Sequence, residues 1–114
     1  MVLTIAQKEL AAGIVALEMT GVVTLGRSCS EIEWAVNKLI ESGTSKIVFD
    51  LTKVSRMDSS GIGIIVMAAG KLKKAGGDLK LVGVQEKVRD VIVMTQIDKV
   101  VGMFDTSEAA IASF

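Results

Sequence analysis

The chain has 114 residues, half of them hydrophobic and 23% charged, enough to bury a core and too apolar for intrinsic disorder. Thirteen basic and thirteen acidic side chains cancel, so the basic excess that lets a protein neutralise phosphates is missing, and no nucleic-acid partner is expected. With no His and one Cys, imidazole-based catalysis, Ser–His or Cys–His pairs, His-rich zinc sites and an intramolecular disulfide are all excluded.

Leu3, Ile5 and Gln7 alternate with Thr4, Ala6 and Lys8, as in a half-buried strand. A turn at Ala11-Ala12-Gly13 leads to a more apolar strand, Ile14 to Met19, closed by Gly21. Ser28 and Ser30 offer helix N-caps, and Ser30 with Glu33 has the spacing of a capping box. Ile32, Val36, Leu39 and Ile40 then share one helical face, and Gly43 suits the stop. Lys46 to Leu51 reads as a third strand, and Thr52 to Met57 as a loop. Ile62, Ile65, Val66, Ala69 and Leu72 form the buried stripe of a second helix ending at Gly76-Gly77. Leu79 to Val84 is the next strand, and Val88, Val91, Ile92 and Thr95 mark a third helix. Val100 to Phe104 is the last strand, before a short helix capped by Asp105 with Glu108.

The order β-β-α-β-α-β-α-β-α predicts an α/β fold: one domain over residues 1–114, with a mainly parallel mixed sheet of about five strands and about four helices. Proline is absent, and no linker or repeat divides the chain. Met1 to Leu10 lacks the basic-then-apolar pattern of a signal peptide. The most apolar run, Ile62 to Gly70, is far shorter than the ~20 residues of a membrane span. The expectation is a cytoplasmic protein without direct membrane insertion.

Chemistry concentrates in Asp58-Ser59-Ser60-Gly61, which opens a helix at the carboxyl end of a strand and loop, where α/β folds place function. A structural role is open: Asp58 or Ser59 caps the helix, while Gly61 and Gly63 permit close packing on the sheet. A functional role rests on the same physics, because a helix N-terminus stabilises an added anion such as a phosphate on Ser59. Gly61-Ile62-Gly63 lacks the third glycine of a dinucleotide fingerprint, Val66 standing in its place, and no Walker sequence is present. Asp50 and Asp58 are two carboxylates without a third partner, so no metal site is expected, and no organic cofactor is implied. Cys29 is read as a small packing residue or inert thiol, and Met57, Met67, Met94 and Met103 as core or rim. Trp34 is read as packing, with an interface anchor as the alternative, and Lys71, Lys73 and Lys74 as a solvated helix face.

The run from Ile47 through Val54-Ser55-Arg56-Met57-Asp58-Ser59-Ser60-Gly61 to Gly63 resembles the signature of the STAS family, the sulfate transporter and anti-sigma factor antagonist domains. The similarity continues through Lys71 to Gly77, Leu79 to Val84 and Ile97-Asp98-Lys99-Val100. The resemblance implies an anti-sigma factor antagonist, not an enzyme, that acts on transcription by partner switching. Unphosphorylated, such a protein binds an anti-sigma factor that is also a serine kinase and frees the sigma factor. Phosphorylation ends the binding, and a serine phosphatase restores it. Carried over by position, Ser59 is the phosphoacceptor, with Ser60 second to it. The implied partner-binding residues are Thr24, Met57, Asp58, Ser59, Ser60 and Gly61. One departure stands out: in Gly21-Val22-Val23-Thr24, Thr24 occupies the place of the family's usual acidic residue. That departure motivates an alternative, a STAS scaffold or accessory subunit, transporter-associated or stressosome-like, without a phosphoswitch.

Overall fold

A computed structural model describes residues 3–114; the first two residues of the predicted domain lie outside the described residues. The elements run β1 (Thr4–Ala11), β2 (Ile14–Val23), α1 (Arg27–Glu41), β3 (Lys46–Met57), α2 (Ser59–Lys74), β4 (Asp78–Val82), α3 (Glu86–Met94), a 3₁₀ turn (Ile97–Lys99), β5 (Gly102–Phe104) and α4 (Ser107–Ala112). The strands lie in the sheet in chain order, β1 antiparallel to β2 and all later neighbours parallel. The predicted α/β class, element order and mixed sheet are therefore those observed.

Each crossover moves one strand along in the same direction, so right-handed connections put α1, α2 and α3 on one face. The core follows from this. Leu17, Ile47, Phe49, Leu51, Leu79 and Leu81 point toward Ile32 and Val36 of α1, Ile65 and Leu72 of α2, and Val88 and Ile92 of α3. The alternate residues Ile14, Ala16, Val48 and Val82 meet Ala110 of α4 on the opposite face. Because β3 is covered on both sides, it reads as a continuous apolar run at its start, as a central parallel strand should.

Several predicted boundaries move. Thr52–Met57 is strand, not loop, and pairs with the end of β2 from Thr20↔Lys53 to Val23↔Met57. Two register shifts, at Glu18/Thr20 and Gly21/Val22, each give β3 one extra residue. Its buried positions there are Leu51, Val54 and Met57, spaced by three, so the period of two that marks a strand is lost. Gly21 does not close β2. It sits at the second bulge with φ 125°, a conformation open to glycine.

α1 begins after Gly26, which has φ 105°, so Ser28 and Ser30 fall inside its first turn and the predicted capping box does not form. Val66 is 43% exposed on the flank of α2, and Ala68 takes the buried place. Thr106, not Asp105, caps α4, its side chain accepting from the Ala109 amide at 3.2 Å. Trp34 is 65% exposed, contrary to the packing role read for it, and Met94 stands in solvent at 81%.

Candidate functional site

The bulged extension of β3 carries Asp58 out to the end of β2. There the Asp58 amide donates to the Val23 carbonyl at 3.1 Å, tying the two strand ends together. Asp58 is the N-cap of α2, with extended backbone. Its Oδ1 accepts from the Ser60 and Gly61 amides at 2.9 and 3.1 Å, two of the first-turn donors that a helix leaves unpaired. Of the two capping candidates, Asp58 thus fills the position and Ser59 is freed for the first helical residue, exposed to solvent.

The second carboxylate oxygen reaches across the chain. Leu25 donates its amide to Asp58 Oδ2 at 3.2 Å. Partial burial opposes ionisation of Asp58, but donation from Gly61, Leu25 and Ser60 outweighs it and holds the carboxyl below its ordinary range. None of the ion pairs among the described residues includes Asp58.

The loop that carries Leu25 is fixed from its other side by α1. The Ser28 hydroxyl donates to the Thr24 carbonyl at 2.7 Å and accepts from the Thr24 amide at 3.0 Å. The Cys29 thiol also donates to that carbonyl, at 3.2 Å. Burial, and secondarily the Asp58 charge, push this thiol up, so Cys29 stays protonated and unreactive at neutral pH. Leu25 itself is 81% exposed. An apolar side chain is thus held in solvent on a loop tied to the cap of α2, one residue before the exposed Ser59.

Gly61 explains how close the helix comes to the sheet. A Cβ at this position would overlap the Met57 side chain and lie 3.0 Å from Val23 Cγ1 and 3.1 Å from the Val23 carbonyl oxygen. Gly63 was expected to serve packing as well, but nothing lies within 4 Å of where its Cβ would be. Of the six residues implied as partner-binding, Asp58, Ser60 and Thr24 are half-buried and Ser59 is exposed. Met57 and Gly61 are buried, packed together against Val23 where α2 meets the sheet, and offer no surface to a partner.

Sequence reasoning missed Leu25. Its bond to Asp58 spans 33 residues, and no local pattern announces it. The carboxylates weighed as a metal pair lie apart in role. Asp50 Oδ1 accepts from the amide and hydroxyl of Thr52 at 3.0 and 2.6 Å, while Asp58 serves α2 and Leu25. Among the described residues no three His, Cys, Asp or Glu gather as a metal site would require, and no helix is long and apolar enough to cross a membrane.

Comparison with known proteins agrees with this architecture. A Thermotoga maritima protein provisionally named an anti-sigma factor antagonist is 32% identical over 78 residues, covering 68% of this chain and 69% of the relative. The crystal structure of a Thermotoga maritima protein of the same description superposes with a TM-score of 0.87 at 26% identity, over 96% of this chain and 92% of that one. The Bacillus cell-fate determinant SpoIIAA, in its phosphorylated form, shares the fold with a TM-score of 0.75 at 21% identity, over 96% and 98% of the two chains. The family model for the STAS domain matches residues 6–110. Given that match, the five-stranded mixed sheet and the Asp58-capped helix that follows its central strand, the chain belongs to the STAS domain family.

Proposed function

We propose that this protein is an anti-sigma factor antagonist that binds an anti-sigma factor with serine-kinase activity, and that phosphorylation of Ser59 ends that binding. The observation that carries the reading is the exposed Ser59 hydroxyl at the first position of α2, beside a capping carboxylate whose two oxygens are already occupied. The relative's description as an anti-sigma factor antagonist supports the role, and SpoIIAA has a phosphorylated form on the same fold.

The electrostatics favour a switch of binding over a switch of fold. A phosphoserine brings about 1.5–2 negative charges. The positive end of α2 favours them by about 0.3–1 kcal/mol, and the neighbouring Asp58 carboxylate opposes them. Ser60 and Gly61 already donate to Asp58, so the phosphate finds these amides engaged. The helix therefore neither melts nor tightens much. A partner seated over Leu25 and Ser59 would instead have to desolvate an unpaired dianion, at a cost of several kcal/mol. In this scheme the protein is ligand and substrate, the kinase supplies ATP, and a serine phosphatase resets it. Thr24, in place of an acid, lowers the negative charge around Ser59 before modification.

The reading is tested by quantitative pull-down from native cell extract with wild type and Ser59→Asp. It predicts that a serine-kinase-like anti-sigma factor is captured by wild type and absent with Ser59→Asp. Equal capture of the same partners by both baits, a transporter component or a large stress-signalling assembly for instance, would establish the scaffold role instead.

A further inference from the structure

We infer that this protein forms a two-fold symmetric dimer with a second copy of itself through the exposed stripe of α1, with Trp34 at the axis. The inference is independent of the Ser59 reading. It starts from a gap in the helix layer. α1 leans toward α2, where Lys71 Nζ meets Asn37 Oδ1 at 2.9 Å and Glu33 at 3.8 Å. β1 forms the sheet edge, and beside α1 its face stays open, with Ile5 half-buried and Gln7 exposed. The result is a groove of about 420 Å³ between α1 and β1, floored by Ile5, Leu17 and Ala35 and walled by Trp34.

Trp34 is a large apolar side chain 65% in solvent at the lip of an unfilled apolar groove. Knob and hole on one patch are what an isologous interface requires, since each copy then fills the other. Lys38 Nζ lies 5.7 Å from the ring centroid, which holds the indole in place rather than burying it. Aromatic residues of this kind commonly anchor interfaces.

The charges around Trp34 choose the occupant. Arg27, Glu31, Trp34, Lys38 and Glu41 fall at i, i+4, i+7, i+11 and i+14, one face of the helix. The signs on the two sides of Trp34 are opposite: positive then negative before it, positive then negative after it, read in chain order. Laid antiparallel on a second copy with the two Trp34 rings at the axis, Arg27 faces Glu41 and Glu31 faces Lys38. Both pairs recur by symmetry, so all four contacts are attractive. A parallel arrangement would set each charge against itself. The intrahelical pair Arg27–Glu31, at 3.1 Å with the Arg side chain 88% exposed, is weak enough to be shared. A helix of 15 residues is about 22 Å long, so the interface belongs to the small, reversible class. The stripe faces β1, away from the flank that meets α2, and leaves Ser59 free.

The test is sedimentation equilibrium of the full chain from low micromolar to submillimolar concentration, with the emission of Trp34, the sole tryptophan, followed in parallel. The expected result is a rise of average mass toward the dimer with a blue shift of emission. Trp34→Ala abolishes the rise, and Glu31→Lys or Lys38→Glu alone weakens association by at least about tenfold through like-charge contacts. The double variant Glu31→Lys with Lys38→Glu recovers it, because opposite signs again face each other. Ser59→Asp leaves it unchanged. All these positions are on the surface, and circular dichroism verifies that each variant is folded. A wild type that stays monomeric throughout, or a double variant that associates no better than the single ones, overturns the proposal.

Discussion

Asp58 engages three backbone amides with two oxygens, and the variants Asp58→Asn and Asp58→Ala separate what each oxygen does. Oδ1 caps α2 through Ser60 and Gly61, while Oδ2 holds the β2–α1 loop through Leu25. Asparagine retains one carbonyl oxygen and is as good an N-cap as aspartate, so Asp58→Asn keeps the cap. Its amide nitrogen is a donor and cannot accept from Leu25, so the loop tether is lost. That single bond contributes about 0.5–1.5 kcal/mol. Asp58→Ala removes the cap as well, a further loss of about 0.5–2 kcal/mol. The expected totals are about 0.5–1.5 kcal/mol for Asn and about 1–3.5 kcal/mol for Ala. In a domain of this size each kcal/mol lowers Tm by roughly 3–6 °C. Urea unfolding at constant m-value gives the totals, and amide exchange assigns them. In Asp58→Asn the Leu25 amide should exchange faster while Ser60 and Gly61 keep their protection; in Asp58→Ala all three should lose it. Equal destabilisation by the two variants, or unchanged exchange at Leu25 in both, would refute the division of labour between the oxygens.

Three other outcomes follow from the same site. Gly61→Ala overpacks Met57 and Val23 and should lower the unfolding free energy by about 1–2 kcal/mol, whereas Gly63→Ala, with open space around it, should raise it by about 0.5–1 kcal/mol; denaturant titration showing both to be stabilising would contradict the close approach at Gly61. Because the Asp58 carboxyl is held below its ordinary range in the folded state, the stability it contributes is present above about pH 4 and lost as pH falls through the folded value. The acid limb of the stability–pH curve should therefore flatten in Asp58→Asn, and an unchanged limb would show that Asp58 does not supply it. Ser59→Asp should change stability by less than about 0.5 kcal/mol, since the exposed side chain gains a dipole contact and a like-charged neighbour together; a large loss of Tm would place Ser59 in the fold rather than at its surface.

The elements that could be read from the residues were those in which local physics and packing agree. Ile62, Ile65, Ala69 and Leu72 repeat at helical spacing and are buried, and Asp58 caps the helix before them. The second half of β3 was hidden because two bulges stretch its buried residues to every third position, a pattern belonging to neither helix nor strand. The start of α1 was misread because serines were favoured as caps, while Gly26 at φ 105° ends the loop and Ser28 turns back onto Thr24. Leu25 was invisible for a different reason: its significance comes from a bond to a residue 33 positions away, which only the parallel pairing of β2 and β3 brings near. The identity of Ser59 as the residue of interest came from the family resemblance. Periodicity and capping rules alone left it level with Asp58.

The most direct test of the account is the affinity of the captured anti-sigma factor for this protein with Ser59 unmodified and with phosphoserine installed at that one position, measured by titration calorimetry at matched ionic strength. The account predicts a loss of at least about a hundredfold on phosphorylation, corresponding to about 2.8 kcal/mol or more, with the phosphorylated protein still folded. Equal affinity of the two forms would contradict it.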